Sequence, residues 1–449
     1  MLDIAITGAG PVGLTLARLL LPYTSHSTST PTISITVFEK DTSPTSRLSV
    51  GGTLDLHPKT GLAAIQACNL WDEFSKHARF EGEEIQFCDR NGFCYIHQIE
   101  IPKTLQADHA RPEIDRVRLM EVLLGSTPEG IIQWGKQVKE VKRAESDDKW
   151  SLVLGDGSVT KPFDLVVGAD GAWSKVRKAL TDVEPSFSGI CSVSGTIDQD
   201  SAGASWEHIS NMVGKGSNFA FSYGKSMVGQ RMGDGSLKIG FDQKREPAWL
   251  QSLDEKYKSD DDALKRALLE EYKDWVPEFQ RWIIASKQLW TSSLYELPVG
   301  HRYEHQKGIV LIGDSAHLAT PFAGEGVNAG MRDALDLAAA IESSIKENQD
   351  LDQLIADFEE SMFVRTKVVM QDTMMNKDGM FAHDAPYSLL ANFVGVAARE
   401  FGYDLDKGWI SWVPLRSAAR GVFWTMGSYG AVSRRVKDAL IGQKPLRLE

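Results

Sequence analysis

Cysteine is scarce: four residues in 449, at positions 68, 88, 94 and 191, none at metal-ligand spacing. The ten histidines are scattered without an HExxH or other paired pattern. Neither a metal site nor a disulfide framework is therefore expected, and the thiols should stay reduced. Basic charge is also short, with 49 Lys and Arg against 61 Asp and Glu and a net charge of −12. That balance excludes a sequence-independent grip on nucleic acid, which needs a clustered basic face. Within 384–449 the longest uncharged run is shorter than the roughly 18 residues that span a bilayer, so no transmembrane segment is expected. The opening "MLDIAITGAG" lacks the basic and apolar regions of a secretory signal, which leaves the cytoplasm as the default compartment. A GxSxG nucleophile elbow is missing, and no cysteine sits in a plausible catalytic setting.

Glycine in pattern is what the chain does have. "LDIAITGAGPVGLTLARLL" reads as a short apolar strand, a glycine turn and a helix with apolar residues at Leu14, Ala17 and Leu21. Gly8 allows the tight turn, Gly10 lets the backbone approach a pyrophosphate, and Gly13 lets helix and strand pack closely, with Pro11 and Val12 between them. A second β-rich run, "ISITVFEK", ends in Glu39 and Lys40. A carboxylate at that strand tip can accept hydrogen bonds from ribose hydroxyls. Strand, turn, helix, strand and acid together specify an adenine dinucleotide, without separating NAD from FAD. A second GxGxxG is absent; "GKGSNF" at 214–219 comes nearest and lacks the third glycine.

Further segments bear on that choice. "RLSVGGTLDLHPKTGLAAIQ" contains Arg47 and Asp55, and "EIDRVRLMEVLL" puts Arg116 at the head of a helix. "FDLVVGADGAWSKVRKAL" runs a buried strand into a turn, and "GDSAHLATPFAGEGVNAG" at 313–330 repeats that grammar. The last stretch places Asp314 and His317 three residues apart, which reads either as a catalytic pair or as a ligand cradle.

Taken together, these motifs resemble the group A flavin-dependent aromatic hydroxylases, the salicylate and para-hydroxybenzoate hydroxylase superfamily. "GGTLDLHP" and "GDSAHLATPFAGEGVN" are similar to segments of the tetracycline-inactivating flavin monooxygenases. The likeness covers about the first 380 residues. It implies an α/β chain with a Rossmann-like FAD-binding fold of the glutathione reductase and para-hydroxybenzoate hydroxylase type, an interleaved antiparallel β-sheet substrate domain, and C-terminal helices. The expected boundaries are 1–184 for the first part of the FAD domain, with an excursion near 75–105, then 185–298 for the substrate sheet, 299–345 for the second FAD part and 346–449 for a helical region.

The resemblance also assigns residues. Glu39 would hold the adenosine ribose, Arg116 and Asp55 would touch the flavin, and Arg47 would lie at the cofactor or NADPH. Asp170 belongs to a motif serving both FAD and NAD(P)H, and Asp314 would bind the ribityl chain. Pro321, Gly324, Gly326, Val327 and Asn328 would wrap the flavin, leaving His317 as a structural histidine. Cofactor use is expected to be FAD with NAD(P)H as co-substrate, NADPH being preferred. The implied reaction passes through a C4a-hydroperoxyflavin and inserts one oxygen of O₂ into an electron-rich aromatic or polycyclic molecule. Epoxidation or Baeyer-Villiger chemistry stays open, as does a non-catalytic dinucleotide-fold carrier.

Residues 185–298 alternate β-runs with Gly-rich turns, which suggests an antiparallel sheet lying against the flavin. By resemblance, Ser194, Ser217, Val228 and Lys238 fall near substrate contacts, although the polar identities differ from those of the tetracycline enzymes. An exposed strand lysine is the plainer account of Lys238, and Gln230 and Arg231 take the same discount. Phe322 is a further substrate-side candidate, but no substrate base can be named. The methionines at 362, 370, 374 and 375 read as core packing, with Met380 or Phe381 as a cavity roof by analogy. The Trp- and Arg-rich tail from 384 reads as an extra helical layer, with peripheral membrane contact as the alternative. A monomer or weak homodimer is expected.

Overall fold

In a computed structural model, residues 1–28, 32–46, 51–98, 110–144, 148–257, 260–392, 420–423 and 425–426 are described. Arg47, and nearly all of the tail beyond 392, lie outside them. The chain divides into two compact units. The first comprises Met1–Arg79, Lys103–Ser186 and Tyr295–Thr373, and the second Phe80–Pro102, Phe187–Leu294 and Met374–Glu449.

The first unit is built on a five-stranded sheet in the order Ile309–Leu311, Leu165–Gly168, Leu2–Thr7, Ile33–Phe38, Ile132–Gln133. Every pairing is parallel. Strands such as "LVVG" and "IVL" are buried throughout, as expected where helices cover both faces of a parallel sheet. Helix Pro11–Leu20 starts with proline in its first turn and buries seven residues, including Leu14 and Ala17. Helix Gly326–Glu347 adds Ala334, Leu337 and Ile341 to the same core. This unit runs on through residue 373, and Ile355, Phe358 and Met362 of helix Leu351–Met380 belong to its core. Met362 is fully buried and Met370 nearly so, whereas Met374 is exposed.

The second unit carries a seven-stranded sheet in the order Lys287–Glu296, Ser186–Ile197, Leu237–Lys244, Lys225–Arg231, Ser217–Ser222, Ile85–Asp89, Cys94–Gln98. Its central pairs are antiparallel. Strand Ser217–Ser222, however, runs parallel to Ile85–Asp89, a pairing that joins segments far apart in sequence and that local patterning cannot reveal. One face turns a row of Val193, Phe241, Met227, Ala220 and Cys88 into a core shared with Phe279 and Trp282 of helix Pro277–Ala285. All four cysteines are free thiols. Among the described residues no helix is long and apolar enough to cross a membrane, and no His, Cys, Asp or Glu group could hold a metal ion.

Candidate cofactor site

The first glycine turn is locked by contacts between backbones. Gly8 has φ +98°, and a Cβ there would lie 2.4 Å from the Ala169 carbonyl oxygen. A Cβ on Gly13 would lie 2.1 Å from the Gly8 carbonyl oxygen. Gly10 differs, because a Cβ there would meet nothing within 4 Å. Its glycine is not demanded by the protein's own packing, so the space beside it is open to a ligand. Helix Pro11–Leu20 begins at Gly10 with no side-chain cap and no acid in its first turn. Its free N–H groups therefore present positive potential to an anion.

Glu39 is buried at the tip of the second strand. Its Oε2 accepts the Ala9 N–H at 2.7 Å and its Oε1 the Asp41 N–H at 3.0 Å, which orients the carboxylate and leaves lone pairs for hydroxyl donors. Lys40 is exposed. Val12 is half-buried and packs on two glycines: a Cβ on Gly330 would lie 2.5 Å, and one on Gly313 3.2 Å, from its methyl groups. It thus seats the first turn against the "GDSAH" segment.

That segment is clamped from two sides. Arg177, almost fully buried, donates to the carbonyls of Ser315 (3.0 Å) and Ala172 (2.8 Å), tying the "GADG" turn to it. Asp333, with no exposed surface, accepts the Gly313 N–H at 2.8 Å, His317 Nε2 at 2.6 Å and Arg365 Nη2 at 2.8 Å. His317 therefore pairs with Asp333 rather than with Asp314, and acts as a loop fastener. Asp314 is solvent-exposed and makes no hydrogen bond among the described residues. Although its outer surface meets solvent, the protein packed around it pushes its carboxyl up, against the opposing charges of His317 and Arg116. Asp170 Oδ2 accepts the Lys175 N–H at 2.7 Å, while its Oδ1 is buried without a partner.

A second constellation went unread in the sequence. His57 Nε2 lies 2.9 Å from Asp55 Oδ2, and its Nδ1 lies 3.1 Å from Glu325 Oε1. Burial lowers the imidazole pKa, but its hydrogen bonds to both carboxylates and their charges outweigh it and hold the group at about 9. Asn328 is fully buried beside this bridge. Its Oδ1 accepts the N–H of His57 (2.9 Å) and of Gly61 (3.3 Å), and its Nδ2 donates to the Asp55 carbonyl (2.8 Å). Its polar atoms are thus engaged inside the protein, where they tether segment 55–61 to segment 324–328. Gly324 takes the left-handed conformation at φ +69°. Helix Gly326–Glu347 starts there without a side-chain cap or acid in its first turn. Val327 is half-buried, Pro321 is exposed and Phe322 is half-buried. Arg116 is exposed, and its chain covers Gly51 at 3.0 Å from the position a Cβ would take.

Two consequences can be measured. Asp314→Ala removes no internal bond, so the fold should shift by less than about 0.5 kcal/mol. FAD retention should nevertheless weaken by about tenfold or more, the worth of a charge-assisted hydrogen bond; unchanged FAD affinity by titration would refute the assignment. His57 is raised from 6.5 to about 9, so the stability it adds is complete below 6.5 and is lost as pH climbs through about 9. FAD release, followed by flavin fluorescence, should rise over that window in the wild type. His57→Gln should flatten the rise, and an unaltered pH profile would count against the charged bridge.

The substrate-side candidates of the second unit, drawn from the resemblance, share one sheet face. Ser194, Val228, Gln230, Lys238 and Ser217 all point to the side opposite the helices, since they belong to paired rows on that face. Lys238 is half-buried, with its ammonium 5.6 Å from the Trp290 ring centroid. Arg231 turns to Gly214 and Ser210 instead.

A parallel sheet carrying an open glycine turn, a strand-tip acid and two uncapped helix starts is the arrangement of a dinucleotide-binding fold. The FAD binding domain family matches residues 1–372, and the chain belongs to that family. The monooxygenase asqM of Emericella nidulans is 33% identical over 384 residues, 76% of this chain and 83% of that protein. The monooxygenase penA of Penicillium thymicola is 30% identical over 421 residues, 83% and 94% of the two chains. The structure of Klebsiella pneumoniae HpxO complexed with FAD and uric acid superposes with a TM-score of 0.68 at 18% identity, covering 93% of this chain and 96% of that one, a likeness of fold. The protein is an FAD-dependent monooxygenase of the aromatic-hydroxylase type. That displaces the carrier alternative.

Proposed function

We propose that the protein uses NAD(P)H, with NADPH preferred, to insert one oxygen atom of O₂ into an electron-rich aromatic or polycyclic small molecule. The observation that carries this reading is the open Gly10 turn and its uncapped helix, in a chain that matches a named monooxygenase over 94% of that relative's length. When bound, FAD supplies electron transfer and O₂ activation. The protein's residues bind and orient it. Glu39 accepts the ribose hydroxyls, the N–H groups after Gly10 face the pyrophosphate, and Asp314 holds the ribityl chain. Arg116 and Asp55 approach the ring system, and Asp170 offers its unpartnered Oδ1. The N-terminus of Gly326–Glu347 places positive potential where a reduced, anionic ring gains most from it.

The test is direct. Purified protein should carry visible flavin absorbance, and NADPH oxidation should accelerate with members of a phenolic and polycyclic panel. Products should gain the mass of one oxygen atom, and their structures separate hydroxylation from epoxidation or Baeyer-Villiger insertion. Protein without flavin, or oxidation that no panel member stimulates, would overturn the reading.

A further inference from the structure

The sheet face opposite the helical core of the second unit is ordered in three rows by strand register. The first runs Ser192, Asp242, Ser226, Phe221, Asp89; the second Ser194, Gly240, Val228, Phe219, Phe87; the third Thr196, Lys238, Gln230, Ser217, Ile85. Directly paired residues share a face, so these side chains form one surface whatever lies beyond it. Its chemistry is uneven. Phe87, Phe219 and Phe221 make a near-parallel stack, with centroids 5.4 to 6.4 Å apart and interplanar angles of 10 to 19°.

Asp242 is the one acid in the central three strands of those rows. Ser226 Oγ donates to its Oδ2 at 2.9 Å, and Ser192 hydrogen-bonds it from the other side. Ser192 and Ser226 are buried. Tyr272 OH donates to the carbonyls of Ser226 and Asp242, which fixes the two strands at this row. Gly240 presents no side chain beside the carboxylate; a Cβ there would sit in ordinary contact, 3.6 Å from Asp242 Oδ1 and 3.9 Å from the Val228 Cβ. Lys238, on the far side of Gly240, is the charged group that offsets Asp242. Two serine donors leave a carboxylate with spare acceptor capacity, and shielding that capacity from water is costly unless a donor arrives to meet it.

We infer that Asp242 is a substrate-recognising carboxylate. It accepts a hydrogen bond from an O–H or N–H on a planar aromatic substrate whose ring lies over Gly240 toward the Phe87, Phe219 and Phe221 stack. This deepens the monooxygenase reading and rests on it, since it names the substrate class as hydrogen-bond-donating aromatics. A site built to receive such a donor rejects the analogue lacking it, because the buried acceptor is then left unmet.

The experiment measures binding to the holoenzyme by equilibrium dialysis, so the answer does not depend on turnover. The probes are 2-naphthol and its methyl ether. The wild type should bind the naphthol about tenfold or more tightly than the ether. Asp242→Asn, which keeps the shape, should bring the ratio within about twofold without changing ether binding. Ser226→Ala removes a donor to the carboxylate and should keep the preference, so it stands in if the Asn variant does not fold. Equal binding of the two probes by the wild type, no binding of either, a preference that survives Asp242→Asn, or its loss in Ser226→Ala would each overturn the assignment. Retained flavin and NADPH oxidation alongside such a result would leave the monooxygenase reading standing.

Discussion

Asp333→Ala should destabilise the first unit by about 3–5 kcal/mol, the usual loss when one partner of a buried ionic network is removed. The substitution strands three donors at once: the Gly313 N–H, His317 Nε2 and Arg365 Nη2. Burial alone would raise this carboxyl, but His317, Arg365 and the Gly313 N–H outweigh it and hold its pKa below the ordinary 3.8. A depressed folded pKa means that the contribution is complete above 3.8 and is lost as pH falls through the folded value. The wild type should therefore lose stability on acidification, and Asp333→Ala should lose less. Thermal melting with flavin release as the readout checks both statements. A loss below about 1 kcal/mol, as for an exposed pair, would show that the network does not hold the "GDSAH" turn.

The second large effect comes from a pair of glycines three residues apart. Gly13→Ala puts a Cβ 2.1 Å from the Gly8 carbonyl oxygen, where backbone must move. We expect a cost at or above the roughly 1–3 kcal/mol of overpacking, with loss of bound FAD as well. Gly10→Ala meets no protein atom within 4 Å, and its φ of −77° suits alanine. Its melting temperature without flavin should match the wild type while FAD binding weakens sharply. If Gly10→Ala binds FAD normally, the pyrophosphate does not pass that turn. If Gly13→Ala melts like the wild type, the helix is not held by its contact with Gly8.

Local pattern carried much of this site. The tight turn at Gly8, the close approach at Gly13 and the strand-tip place of Glu39 were legible because each depends on a turn or strand end a few residues long. The partners that fasten those pieces were not. Arg177 meets Ser315 across 138 residues, and His57 meets Asn328 across 271, so no periodicity links them. His57 had one local signal, its place two residues after Asp55 in "TLDLHP". Asn328 was read, by resemblance, as one of the residues that wrap the flavin; the bonds of its amide to His57, Gly61 and Asp55 join segments that no local pattern links. In the second unit, alternation in "LKIGFDQK" separates two faces, but only strand register shows that Asp242 shares its face with Ser226 and Phe221. Asp242 was missed for that reason.

The parallel sheet of the first unit has a consequence for synthesis. Its first strand, Leu2–Thr7, pairs with Leu165–Gly168, which in turn pairs with Ile309–Leu311. At about 5–20 residues per second, the last of these leaves the ribosome roughly 15–60 s after the first. Until then the edge of Leu165–Gly168 is open, and pairings of such sequence separation form slowly. A nascent chain ending before residue 309 therefore exposes apolar strand edges, which makes translation speed and chaperone supply a determinant of how much protein reaches the native state.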